Sequence, residues 1–314
     1  MSFLVTALTL LGPVVAGYLC VRYGLLKRSW SKTIQRTTVL LLAPPVMFLT
    51  MWSLEIPGTD ILVIPLMAIL CGVAGMVASY PVAKALKMSR QSTGAFIVSG
   101  GWANTWLIGG YISFQLFGQK GYALASLYNI LNPFLTYMVG FAVAGYFSPD
   151  RTVVSTRDAV RNFFSDPVSI MPNVGLLAGL AVNLLGAAPG AWSEEVSAYV
   201  VPTFTVVAMF AVGMTMSFRR TREYLRPLIA QSAIHYLLWP AITLAVIYIV
   251  RGSLLNDPVT YRVLLIQSFM PIAMQSLMLC NLFDLDIDMA NALWLGTSLF
   301  SLATMPLLVY LVQL

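Results

Sequence analysis

Residues 93–117 read TGAFIVSGGWANTWLIGGYISFQLF, an apolar stretch long enough to cross a bilayer yet interrupted at Gly100, Gly101, Trp102, Ala103, Asn104 and Thr105 and again at Gly109 and Gly110. Residues 263–283 read VLLIQSFMPIAMQSLMLCNLF and are interrupted from Ser268 to Gln275, with Pro271 inside the break. A helix unwound within lipid exposes backbone N–H and C=O groups that hydrocarbon cannot satisfy, so such a break persists only where it lines a cavity or a ligand site. A pair of broken hydrophobic segments at corresponding places in two halves of a chain points to a secondary transporter, with its substrate at the breaks.

The rest of the 314 residues fits that reading. The chain is 59% hydrophobic and 10% charged, against about a quarter charged in soluble domains. With about 20 apolar residues needed per crossing, ten segments qualify: 2–21, 34–53, 61–83, 93–117, 121–147, 168–187, 196–217, 227–250, 263–283 and 289–313. The expected fold class is an all-α integral membrane protein, and the short loops leave no room for a separate soluble domain. Ten divides into five and five around the polar stretch 148–167, giving halves 1–147 and 168–314. Because five is odd, the second half enters the membrane in the opposite sense, the condition for an inverted repeat. Gly17 and Gly24 recur as Gly179 and Gly186, and Met47 with Phe48 as Met209 with Phe210. Broken segments four and nine occupy matching places.

The net charge of +6 reflects orientation and not a nucleic-acid partner. Of the eighteen Lys and Arg residues, fifteen lie in alternate loops: Arg22, Lys27, Arg28, Lys32 and Arg36; Lys84, Lys87 and Arg90; Arg151, Arg157 and Arg161; Arg219, Arg220, Arg222 and Arg226. The other side has Lys120, Arg251 and Arg262, accompanied by Glu55, Asp60, Glu194, Glu195 and Asp257. Cations stay in the cytoplasm, so the expectation is a multi-pass cell-membrane protein with both termini on the non-cytoplasmic side. No cation precedes Arg22, and the first apolar run reads as a span and not a secretory signal. Cys20, Cys71 and Cys280 are odd in number and lie within spans, which argues against a disulfide framework.

The chemistry at the breaks follows from helix ends. The second halves of segments four and nine start near the membrane centre from opposite sides, each offering free N–H donors and about half a positive charge. Two such ends suit a carboxylate, and no Lys or Arg lies at the centre of any span to supply a point charge. Asn104, Thr105, Ser268, Gln275 and Ser276 add neutral hydrogen bonds or cap the broken ends. Asn129 and Asn132 are three apart, hence on one helix face, and are expected to look at the breaks. Trp102 and Trp106 either stack on a ring-bearing substrate or simply pack. His235, the single histidine, lies about 13 Å past Arg226 along a helix; an ionisable group at that depth is a candidate for proton coupling. Asp284, Asp286 and Asp288 are expected to form the loop and N-cap region of the last span. No His-Glu-x-x-His pattern or intramembrane aspartate pair is present, so no enzyme, cofactor or metal site is expected.

Pro13, Gly17, Tyr18 and Gly24, the run Pro44-Pro45-Val46-Met47-Phe48, Asn104-Thr105, Phe117-Gly118 with Gly121, Met270-Pro271, Leu285-Asp286, and Thr304 with Pro306 together resemble the auxin efflux carrier family. The resemblance implies two inverted five-helix repeats whose fourth and ninth helices cross at their breaks. It also implies a scaffold of spans 1, 2, 6 and 7 that dimerises and a transport domain of spans 3–5 and 8–10, moving small organic anions. This sequence departs from the family at Trp106, where glycine is usual, and at Tyr111, where proline is usual. The resulting expectation is an elevator-type transporter of a small carboxylate. Its substrate-binding candidates are Asn104, Thr105, Gly109, Asn129, Asn132, Pro271 and Gln275, and its helix-break residues are Gly100, Gly101, Gly110 and Pro271. An anion-binding sensor and a sodium- or proton-coupled symporter are the alternatives.

Overall fold

A computed structural model describes residues 3–54, 59–150, 155–216, 221–250 and 257–313. Glu55, Arg151, Arg219, Arg220 and Arg251, which contribute to the charge asymmetry, lie outside the described residues. The described residues are mostly helical, and their β structure amounts to a single bridge. Seven helical stretches are long and apolar enough to cross a membrane: Trp30–Trp52, Val63–Ala85, Thr105–Phe147, Pro167–Leu184, Trp192–Thr215, Arg222–Ile249 and Ile287–Tyr310. The difference from the ten segments expected has physical causes. The described apolar part of the first helix, Leu8–Arg22, is shorter. The segments at 93–117 and 263–283 are divided by their breaks, and Thr105–Phe147 runs the end of the fourth segment into the fifth.

That last stretch is not one straight rod. Gly118 has φ +61° and ψ −149°, outside helical geometry, and a Cβ on Gly121 would stand 2.2 Å from the Ser113 carbonyl oxygen. Eight residues of straight helix span about 12 Å, so the chain turns back at Gly118. Only glycine adopts this backbone without strain.

The helices are α1 (Phe3–Arg22), α2 (Trp30–Leu41), α3 (Ala43–Trp52), α4 (Val63–Ala85), α5 (Arg90–Gly100), α6 (Gly110–Asn129), α7 (Asn132–Leu135), α8 (Phe141–Phe147), α9 (Thr156–Ser165), α10 (Pro167–Leu184), α11 (Trp192–Thr215), α12 (Leu225–Ala233), α13 (Trp239–Ile249), α14 (Pro258–Ser268), α15 (Met274–Leu282) and α16 (Ile287–Gln313). π-turns at Thr105–Gly109, Thr136–Gly140 and Ile234–Leu238 join α-helical pieces.

These elements form two compact units. The first comprises Met1–Gly58, Trp106–Leu127 and Asp166–Met216. In it α1 lies on α11 and α3 on α10, with backbones nearly touching. A Cβ on Gly17 would sit 2.1 Å from the Phe210 carbonyl oxygen and one on Gly213 2.0 Å from that of Val14. On the other pair, a Cβ on Gly175 would sit 2.3 Å from the Pro44 oxygen and one on Gly179 2.4 Å from that of Phe48. Lipid gives helices no hydrophobic reason to associate, so close van der Waals approach through small residues holds such pairs. Residues 106–127 join this unit because Trp106, Leu107, Phe114 and Tyr122 pack with Ala43, Val46, Val201 and Phe204.

The second unit comprises Thr59–Thr105, Tyr128–Ser165 and Ser217–Leu314. It contains both interruptions. Here α5 is pressed onto α4: a Cβ on Gly75 would stand 2.1 Å from the Gly100 oxygen, and one on Gly72 2.7 Å from the Gly101 oxygen. At one end of this unit Asp286 accepts hydrogen bonds from the Met289 N–H at 3.0 Å, the Ser92 hydroxyl at 2.7 Å and the Tyr224 hydroxyl at 3.2 Å. It is the N-cap of α16, as its place before an apolar run predicts.

Candidate functional site

The first break is Gly101–Asn104 in sequence terms: α5 ends at Gly100 and helical geometry resumes at Thr105. The second separates Ser268, the end of α14, from Met274, the start of α15. The two breaks pair with each other. Ala103 and Ile272 form an antiparallel bridge, in which the Asn104 N–H donates to the Pro271 oxygen at 2.6 Å and the Ala273 N–H to the Trp102 oxygen at 2.9 Å. Each unwound strand thus satisfies backbone groups of the other, which is what irregular backbone at membrane depth requires. Pro271 contributes only its carbonyl; lacking an N–H, it removes one helical hydrogen bond and crowds the preceding turn.

A polar network stands beside the bridge. The Asn129 side-chain oxygen accepts from the Thr105 hydroxyl at 2.6 Å and from the Asn132 amide at 2.6 Å. Asn129 and Asn132 therefore face the break, as their three-residue spacing predicts. Asn104 is buried to 8% exposure, and its carboxamide makes no hydrogen bond among the described residues. Gln275 is exposed, just inside α15, and stands apart from the network.

Other candidates are placed differently. Gly109 and Gly110, read from sequence as part of the interruption, lie in continuous helical structure where the π-turn passes into α6, and the Gly109 oxygen accepts from the Ser113 hydroxyl. Gly100 closes α5 and Gly101 caps it, so of these glycines Gly101 alone stands in the break. The reason is the bridge: once Ala103 has paired with Ile272, the chain can resume helical hydrogen bonding at once, and glycine does not prevent it. The Ser268 and Ser276 hydroxyls donate back to the Leu265 and Ala273 oxygens three residues earlier in their own segments. Trp102 packs on Gly140, whereas Trp106 lies 5.2 Å from the Phe204 ring; both rings pack against protein.

His235 is fully buried, in the π-turn between α12 and α13. Its Nε2 is 3.0 Å from the Ser99 carbonyl oxygen. A carbonyl only accepts, so Nε2 carries the proton. The ring stacks on Trp239 at 5.1 Å and 19°. The Ser99 oxygen is among the last four carbonyls of α5, which have no partner within their own helix, so the imidazole caps the first half-helix.

Sequence reasoning missed two supports. Thr297, fully buried on α16, accepts the Ile272 N–H at 3.3 Å while donating to the Leu293 oxygen, and Tyr236 donates to the Thr297 carbonyl at 2.7 Å. A threonine inside an apolar helix was the available signal, but threonine is common there. The second is a set of buried polar atoms with no protein partner at or beside the breaks: Ser99 Oγ, Trp102 Nε1, Trp239 Nε1 and Ser298 Oγ. Unpaired buried polar groups call for water or a ligand.

Residues 202–310 match a family described as membrane transport protein. An uncharacterized transporter of Methanothermobacter thermautotrophicus is 22% identical over 303 residues, covering 96% of both chains. An uncharacterized transporter of Methanocaldococcus jannaschii is 25% identical over 300 residues, covering 94% of both. The resemblance read from the sequence is borne out: the chain is similar over nearly its whole length to archaeal transporters, and its C-terminal third carries the pattern of the membrane transport protein family, the auxin efflux carrier-like group.

Proposed function

We propose that this protein is a secondary transporter of elevator type that moves a small organic anion, a carboxylate, across the cell membrane. The observation that carries this reading is the antiparallel pairing of the two breaks, with the uncommitted Asn104 carboxamide and the Asn129 network beside it. Among the described residues no Lys, Arg, Asp or Glu is buried. Attraction for an anion at that depth therefore comes from helix ends and neutral donors, Trp102 Nε1 and Trp239 Nε1 among them. A carboxylate of modest charge fits such a site better than a phosphate, which ordinarily recruits Arg or Lys.

The inverted repeat belongs to the same proposal. A separation of 162 residues relates Gly17 to Gly179, Gly24 to Gly186 and Phe48 to Phe210. The contacts obey it too, since Gly17 meets the Phe210 carbonyl as Gly179 meets that of Phe48, and Gly24 and Gly186 have φ +72° and +76°. In the elevator reading the unit holding both breaks moves with the substrate and the glycine-packed unit is the scaffold. Dimerisation through the scaffold and non-cytoplasmic termini complete the reading.

The test is reconstitution in liposomes, recording current after concentration jumps of a carboxylate panel on a solid-supported membrane, with counterflow of labelled carboxylate to capture electroneutral exchange. A saturable signal is expected, lost in the Asn104→Ala, Pro271→Ala double variant while expression persists. Absence of both signals from the wild type overturns anion transport; a normal signal from the variant overturns the placement of the site.

We assign His235 to holding α5 and not to carrying protons. His235→Gln, whose amide also donates, is expected to leave any response of uptake to a pH gradient intact. His235→Ala leaves the Ser99 oxygen unpaired and is expected to cost about 1–3 kcal/mol of stability, read as a lower thermal midpoint. Loss of the pH response in His235→Gln would instead establish proton coupling.

A further inference from the structure

The short helix α9 is not explained by transport. It begins with the Ser155 hydroxyl oxygen accepting the Asp158 N–H at 3.1 Å while that hydroxyl donates to the Asp158 carboxylate at 2.7 Å, a reciprocal cap. Arg157 and Arg161 lie one turn apart and exposed, and so do Val160, 40% exposed, and Phe164, 67% exposed. At 100° per residue these four share one sector of the helix. Neither arginine has an ion-pair or hydrogen-bond partner among the described residues, and the Asp158 carboxylate is engaged in the cap.

A helix facing bulk water gains little from leaving a valine 40% and a phenylalanine 67% exposed beside two arginines. A bilayer surface accommodates both sets: apolar side chains enter the acyl boundary and guanidinium groups remain at the headgroups. Connectivity places α9 there, since only Asp166 separates it from α10, a helix long and apolar enough to cross the membrane. Its loop is also one of those that carry the cation excess, the side on which anionic lipids concentrate.

We propose that α9 is an interfacial helix that docks on anionic phospholipid headgroups through Arg157 and Arg161, anchored by Val160 and Phe164. Removing either arginine is expected to lower its docking constant about fivefold.

The experiment uses the full chain with Cys20→Ser and Val160→Cys, spin-labelled at residue 160; Cys71 and Cys280 are buried. The label is read by its accessibility to oxygen and to a water-soluble nickel chelate. Vesicles are phosphatidylcholine alone or equal parts phosphatidylcholine and phosphatidylglycerol. The expected result is a label open to oxygen and shielded from nickel in anionic vesicles, released by high salt and by Arg157→Gln with Arg161→Gln. A label exposed to nickel in both vesicles overturns the proposal. A label shielded in both, indifferent to salt and to the double variant, also overturns it and indicates a protein surface as the occupant. The salt arm requires no arginine substitution, so it stands if the double variant misfolds.

Discussion

Gly75→Val is expected to abolish transport and to lower the thermal midpoint. The Cβ of any residue at 75 would lie 2.1 Å from the Gly100 oxygen and 2.9 Å from Trp239 Nε1. Neither neighbour is the free end of a flexible chain: one is backbone and the other belongs to the ring stacked on His235. Relief therefore requires α5 to move away from α4, which strains the Ser99 contact with His235 and the bridge that begins three residues after Gly100. Overpacking of this kind costs about 1–3 kcal/mol, and the displaced half-helix no longer presents its end to the site. Flux in liposomes and thermal unfolding in detergent check the two effects separately. Wild-type flux would show that the close approach of α4 and α5 is unnecessary.

Asn129→Leu is expected to reduce transport at least about tenfold with a much smaller loss of stability. One oxygen on this side chain accepts both the Thr105 hydroxyl and the Asn132 amide. Leucine keeps the branched shape and removes the acceptor, leaving two donors at the break to point elsewhere. Polar contacts between membrane helices contribute about 0.6 kcal/mol each on average, so the protein should still fold. The discriminating measurement is a double-mutant cycle with Thr105→Val. If the two residues act through their shared hydrogen bond, the pair should be no slower than Asn129→Leu alone. Losses that multiply would mean that the network is not a unit.

The place of the breaks was legible because glycine, proline and amides are out of place in the middle of an apolar segment. Helical spacing put Asn129 and Asn132 on the break-facing side, and the run Asp284, Asp286, Asp288 marked the N-cap region within which the structure selects Asp286. Sequence reasoning misjudged Gly109 and Gly110, since glycine permits an interruption without requiring one. Depth alone made His235 a candidate for proton coupling, while its contact to Ser99 depends on a residue 136 positions away.

Composition, segment length and the alternation of cations determined by themselves that this chain is helical and lies in a membrane, because lipid leaves the backbone few alternatives and orientation follows charge. Which broken strand pairs with which, that Trp106 packs on Phe204 in one unit while Trp102 packs in the other, and that Thr297 holds Ile272 were decided by tertiary structure alone. Those contacts join residues far apart in sequence, and within an apolar chain many threonines, tryptophans and glycines are locally equivalent until packing selects among them.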